Sequence, residues 1–172
     1  MAVDKNNYAF IDAQNLHLAT INAEEPWKID LKRFRVYLKE KYRVSQAYYF
    51  FGVFDEKLKD LYESIQEYGY ILVFREHSKS LVGKKKGNVD VDLVFSVMRK
   101  LYEREDFSRI VIVSGDGDYK RMIDFLIKEN RFEKILFPCE KYASSLYKPL
   151  TSKYYTCIDR PDMRVKVGLR PK

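Results

Sequence analysis

Cysteine and histidine are nearly absent from this chain of 172 residues, which holds two of each. Cys139 and Cys157 are too few for a disulfide scaffold. Each lies in or beside an apolar segment, which suits a buried free thiol. No Cys or His falls at the spacing of a zinc ligand set. No run of about 18 apolar residues occurs, so no membrane span is expected. Residues 1–7 contain no apolar signal core and lead at once into an apolar segment, so no secretory peptide is expected. Repeats, low-complexity tracts and Pro/Gly-rich linkers are also lacking. Disorder is excluded by the 46% hydrophobic and 15% aromatic content, which can bury enough surface to offset chain entropy. The expectation is one soluble, cytoplasmic domain over residues 1–160, followed by a basic tail, residues 161–172.

Charge is unevenly placed. The chain carries 32 basic and 25 acidic residues, a net charge of +7. Residues 75–87 account for +4 through Arg75, Lys79, Lys84, Lys85 and Lys86 against Glu76, and the tail accounts for +3. The rest of the chain is neutral. The cationic character therefore belongs to one internal loop and one tail.

Short apolar runs alternate with amphipathic stretches. Residues 8–11 (YAFI), 44–53 (VSQAYYFFGV), 70–74 (YILVF), 109–113 (RIVIV), 134–137 (KILF) and 154–158 (YYTCI) read as strands. Leu31, Phe34 and Leu38 mark a helix with Asp30 as its N-cap. Leu58, Leu61, Tyr62 and Ile65 mark a second, stopped at Gly69. Asn88 caps a third that carries Leu93, Val94, Val97, Met98 and Leu101. Met122, Ile123, Phe125 and Leu126 belong to a fourth that ends near Asn130, and residues 142–147 read as a short helix. Strands with so little polar alternation imply a mainly parallel sheet covered on both faces. The predicted fold is thus a three-layer α/β/α sandwich, Rossmann-like in architecture. Ligands in such folds bind beyond the carboxyl ends of the strands, where strand order reverses.

Carboxylates stand at those places. Asp12 follows the first strand in Asp12-Ala13-Gln14-Asn15. Asp116 and Asp118 follow the fourth in Ser114-Gly115-Asp116-Gly117-Asp118, and Asp90 and Asp92 open the helix after Lys86-Gly87-Asn88. Four or five carboxylates in one cleft repel and raise one another's pKa. A hard cation such as Mg²⁺ or Mn²⁺ removes that cost, activates water and clamps a phosphate oxygen. Each acid also has an ordinary structural use. Asp12 could cap a helix, Asp116 or Asp118 could cap the helix after a Gly115/Gly117 turn, and Asp90 and Asp92 could favour a helix dipole. Asp90 and Asp92 lie two apart and would not share a face of a regular helix.

Taken together, the motifs Ile11-Asp12-Ala13-Gln14-Asn15, Lys86-Gly87-Asn88-Val89-Asp90-Val91 and Ser114-Gly115-Asp116-Gly117-Asp118-Tyr119 resemble those of the NYN family, the LabA-like branch of the PIN-like nucleases. The resemblance covers roughly residues 8–158, and the third motif is the most specific. It implies a PIN-like fold with strand order close to 3-2-1-4-5 and divalent-metal-dependent ribonuclease chemistry, with endonucleolytic hydrolysis of RNA as the expected reaction. By the same resemblance Asp12, Asp90 and Asp116 would be metal-binding catalytic acids, and Asp118 a further ligand. Asn15 would orient Asp12 or the scissile phosphate, and Ser114 would order the loop and stand near the phosphate. Many members place an acid six residues after the first helix Asp. Ser96 stands there in this chain, and Asp92 is the substitute carboxylate.

The basic loop precedes Asp90, so Lys84, Lys85 and Lys86 are candidates for RNA phosphate contacts. Tyr48, Tyr49, His77 and Tyr119 would stack on bases if exposed; for Tyr48 and Tyr49 core packing is the favoured expectation. Two other classes stay open. One is a non-catalytic RNA-binding module that keeps the acidic cleft. The other is a phosphatase of the haloacid dehalogenase type, although Gln14 stands where a second Asp is usual. A dinucleotide-binding domain is disfavoured, since no Gly-rich turn follows the first strand. The oligomeric state, a homodimer included, is left open.

Overall fold

The computed structural model describes residues 6–76 and 89–170. Lys79, Lys84, Lys85, Lys86, His77 and Asn88 lie outside the described residues. Six strands, β1 (Asn7–Asp12), β2 (Val44–Phe50), β3 (Tyr70–Val73), β4 (Ile110–Val113), β5 (Phe132–Phe137) and β6 (Tyr155–Cys157), form one sheet in the order β3-β2-β1-β4-β5-β6. Every pairing is parallel. This is the expected 3-2-1-4-5 order with β6 added beyond β5.

The helices are α1 (Ala13–Ile21), α2 (Leu31–Tyr42), α3 (Lys59–Glu67), α4 (Val89–Tyr102), α5 (Lys120–Lys128) and α6 (Pro161–Val167). Among the described residues none is long and apolar enough to cross a membrane. Strand alternation sorts the core into two halves. Phe10, Tyr48, Phe50, Ile110 and Ile112 face Leu93 and Val97 of α4 and Met122, Ile123 and Leu126 of α5. Ala9, Ile11, Ala47, Tyr49, Val111 and Val113 face Leu16 of α1, Phe34 and Leu38 of α2, Ile65 of α3, and Met163 and Val167 of α6. Both sheet faces are therefore covered, which is why β1 and β4 are buried at every position.

Local signals explain most boundaries. The Asp30 carboxylate accepts from Arg33 N at 3.0 Å and starts α2. Gly69, at φ +91°, supplies the left-handed residue that ends α3. α1 has little amphipathic pattern, and its cap is the clearer signal. Residues 142–147 do not form a helix. They lie in two 3₁₀ turns, Glu140–Tyr142 and Ser145–Tyr147, because Ser144 breaks the run to pair its N–H with Gly115 O at 2.9 Å. Tyr48, Tyr49 and Tyr119 are buried, so none offers a ring face to a base. Cys139 and Cys157 are buried free thiols, and burial pushes Cys157 up to about 11.

The segment set apart by its charge as a tail is integrated up to Leu169. Met163 and Val167 of α6 are buried. Arg33 of α2 donates to Gly168 O and Val165 O, both at 2.7 Å, and Gly168 bridges Ile29 antiparallel. Lys166 is exposed, while Arg164 packs over the Trp27 ring and donates to Asp159 O and Glu25 O, so even a charged stretch docks closely.

The close packing where α6 ends is testable. A Cβ at Gly168 would stand 2.4 Å from Arg164 O, whereas one at Gly52 meets nothing within 4 Å. Gly168→Ala should cost about 1–3 kcal/mol in urea unfolding, and Gly52→Ala should be close to neutral. Equal midpoints for the two variants would contradict that close contact.

Candidate active site

The sheet reverses direction of growth between β1 and β4, and that is where the acids meet. Ile11 pairs with Val113, so Asp12 and Ser114 leave the sheet side by side. A cleft of about 800 Å³ opens there, lined by Asp12, Gln14, Asn15, Leu18, Ala19, Asn22, Val89, Asp90, Asp116 and Tyr142. Among the described residues, no Lys or Arg side chain lines the cleft.

Asp12 and Asp116 are each held by a bond made with their own local backbone. Asp12 caps α1, its Oδ1 accepting from Asn15 N at 2.9 Å. Asp116 caps the 3₁₀ turn Gly117–Tyr119, its Oδ1 accepting from Asp118 N at 3.0 Å. Asp90 lies in the first turn of α4. The ordinary use of these acids and their convergence thus coexist. Ligand oxygens of Asp90, Asp116 and Asp118 lie within 4.8 Å of one another.

Tyr119 joins Asp12 to this group. Its ring is fully buried, and its hydroxyl lies 2.6 Å from Asp90 Oδ1 and 3.1 Å from Asp12 Oδ2. A phenol has one proton to donate, so it cannot satisfy both carboxylates at once. Burial raises the Asp12 pKa above the usual carboxylate range, with the Asp116 charge adding to it, against hydrogen bonds from Asn15 and Tyr119. Burial and then the Asp12 and Asp90 charges push the Tyr119 phenol far up, so it stays protonated. Excess negative charge, few donors and an all-oxygen ligand set fit a hard divalent cation. Asp90, Asp116 and Asp118 are the residues that would hold it, with Asp12 beside them.

The loop carrying Asp116 is fixed from two sides. The Asn15 side chain accepts from Gly115 N at 2.8 Å, and Tyr147 OH donates to Asp116 O. Ser114 is fully buried and accepts from Asp116 N at 3.1 Å. It orders the loop, and burial keeps it from the phosphate contact expected of it. Asn15 uses both its backbone and its side chain for positioning. Asp92 is not brought into the acid group. α4 is a regular helix from Val89, which turns Asp92 away from Asp90, and the buried Asp92 Oδ2 has no hydrogen-bond partner among the described residues. Burial removes Tyr119 from base stacking and turns its hydroxyl to the acids, and Tyr142 is a cleft residue that no sequence motif marks. For Tyr119, its position directly after the last Asp of the third motif was the available signal.

An all-parallel α/β/α domain with carboxylates converging at the switch point defines the class of acid-centred, metal-fitting folds. The NYN domain model matches residues 8–156, and the chain belongs to that family. It is 25% identical over 126 residues to the Low amplitude and bright protein LabA of Synechococcus elongatus, a match spanning 68% of this chain and 65% of LabA. A crystal structure of a Vibrio parahaemolyticus protein of unknown function superposes with a TM-score of 0.74 at 17% identity, covering 98% of this chain and 99% of that one. The latter likeness establishes shared fold.

The cation fit has a direct readout. Mn²⁺ or Mg²⁺ should raise the melting temperature of the native chain, by about 3 kcal/mol of stability at a hundredfold excess over Kd. Asp118→Asn, which removes one carboxylate and leaves the Asp12 and Asp116 caps, should lose most of that gain. A native chain whose melting ignores both cations and EDTA would refute the site.

Proposed function

We propose that this chain is a divalent-metal-dependent ribonuclease that hydrolyses RNA phosphodiesters endonucleolytically, with Mg²⁺ or Mn²⁺ as cofactor. The observation that carries this reading is the convergence of Asp90, Asp116 and Asp118 at one cleft's edge, with Asp12 joined to Asp90 through Tyr119. Membership of the NYN family supports it. A bound divalent cation would polarise the phosphate and make a water nucleophilic near neutral pH. The chain's own residues do the remaining work. Asp12, Asp90, Asp116 and Asp118 supply the negative charge that fixes such a cation, and Tyr119 holds Asp12 and Asp90 at a set separation. Asn15 ties α1 to the loop of Asp116, so the carboxylates from β1 and β4 keep their relative position. In-line attack by water needs no side-chain nucleophile, and no Ser, Thr, Cys, Lys or His lines the cleft among the described residues.

RNA is the partner this arrangement implies. Lys84, Lys85 and Lys86 immediately precede α4 in sequence, and we assign them to phosphate contacts. Such contacts give affinity that falls steeply with salt. Ser96, where the family often has an acid, leaves one metal ion as the simpler count.

Incubation with single-stranded and structured RNA in Mg²⁺, Mn²⁺ or EDTA tests the proposal. Asp12→Asn and Asp116→Asn keep an N-cap oxygen, so the fold should survive. Each should lower cleavage by at least about a hundredfold. Undiminished cleavage by both purified variants would refute the assignment. Salt-sensitive RNA binding without metal-dependent turnover would point to a non-catalytic RNA-binding module.

A further inference from the structure

The acid cleft has an apolar wall that the carboxylates do not need. Leu18 and Ala19 of α1 and the ring of Tyr142 line it. Leu18 is 43% exposed and Tyr142 47%, so both present surface to whatever enters. Exposed tyrosines usually sample several rotamers, but this one is tied at both ends. Its hydroxyl donates to Asn22 O at 2.7 Å, at the end of α1. Its backbone lies against the acid loop. A Cβ on Gly115 would stand 3.3 Å from Ala143 Cα and 3.4 Å from Tyr142 O, and Ser144 N donates to Gly115 O at 2.9 Å. Tyr142 is therefore tied to α1 by its hydroxyl and to the acid loop by its backbone.

We propose that Tyr142, with Leu18, is a stacking wall for the base beside the phosphate held at the acids, and that the substrate is accordingly single-stranded RNA. The inference rests on the ribonuclease reading and adds the substrate class to it. In a duplex each base face is covered by its neighbours, so a ring fixed inside a cleft reaches a base only when the strand is unpaired. Stacking on an aromatic face is tolerant of sequence, and the wall is tyrosine and aliphatic carbon. Preference for strandedness rather than for a particular base is what it confers.

Binding and turnover are measured separately on the full chain. A single-stranded oligoribonucleotide carrying 2-aminopurine is titrated in Ca²⁺, alone and annealed to its complement, and unlabelled RNA is cleaved in Mn²⁺. The single strand should bind with quenching of the fluorophore, and the duplex more weakly. Tyr142→Ala should weaken single-strand binding about five- to tenfold, the low end of one stacked base, and raise KM by a similar factor with kcat little changed. Tyr142→Phe keeps the ring and should retain most of the affinity. Leu18→Ala, on a different element, should shift binding in the same direction, which guards against a folding defect in the first variant; melting temperatures check both. Equal binding of single strand and duplex, or native affinity in Tyr142→Ala, would overturn the wall while leaving a nuclease intact. Tyr142-dependent quenching without any turnover would uphold the wall and reject the nuclease. Failure to bind RNA at all would reject both.

Discussion

One phenolic hydroxyl holds the centre of this molecule. Tyr119 is buried between Asp12 at the end of β1 and Asp90 at the start of α4, and so connects the sheet, one helical layer and the loop after β4. Two carboxylates next to one donor in a low-dielectric setting are costly, because an unmatched buried charge loses hydration without regaining it. The fold tolerates this by distributing the acids over rigid elements and leaving the cleft open to water. The surrounding bonds, from Asn15 to Gly115, Ser144 to Gly115 and Tyr147 to Asp116, prevent the loop from relaxing away from the repulsion. The strain is electrostatic, and a cation is what would relieve it.

The acids also show how a residue can serve structure and chemistry at once. A carboxylate has two oxygens. In Asp12 and Asp116 one of them caps a helical turn, which freezes the side-chain torsions and aims the other. Capping therefore does not exclude ligation, and choosing between them from sequence is a false alternative.

Much of the fold was legible because burial on both faces leaves strong traces. Continuous apolar runs such as 110–113 identify central parallel strands, and caps such as Asp30 and stops such as Gly69 act locally. The family motifs then aligned the acids and the strand order. What escaped depends on long-range packing. Residues 142–147 look helical by composition, but a hydrogen bond to Gly115, far away in sequence, breaks them into turns. Residues 161–169 look like a charged appendage, since the outward residues dominate their composition while Met163 and Val167 point into the core. Tyr119 reads as a candidate stacking ring until burial shows its hydroxyl to be the part that matters. Asp92 fell out of the acid group on helical phase alone, as the two-residue spacing from Asp90 already suggested.

The position of β1 in the sheet has a consequence for the order of events during folding. Its β2 side can pair early, within the first fifty residues, but its other edge waits for β4. The contacts that build the cleft span great lengths of chain: Asn15 to Gly115 closes over 100 residues and Asp12 to Tyr119 over 107. Contacts of such separation form slowly, since a large loop must be ordered before they reward it. A growing polypeptide thus carries Asp12 through about a hundred further residues before its partners emerge. The acids meet only when β4 joins β1, so assembly of the site waits on the central pairing of the sheet.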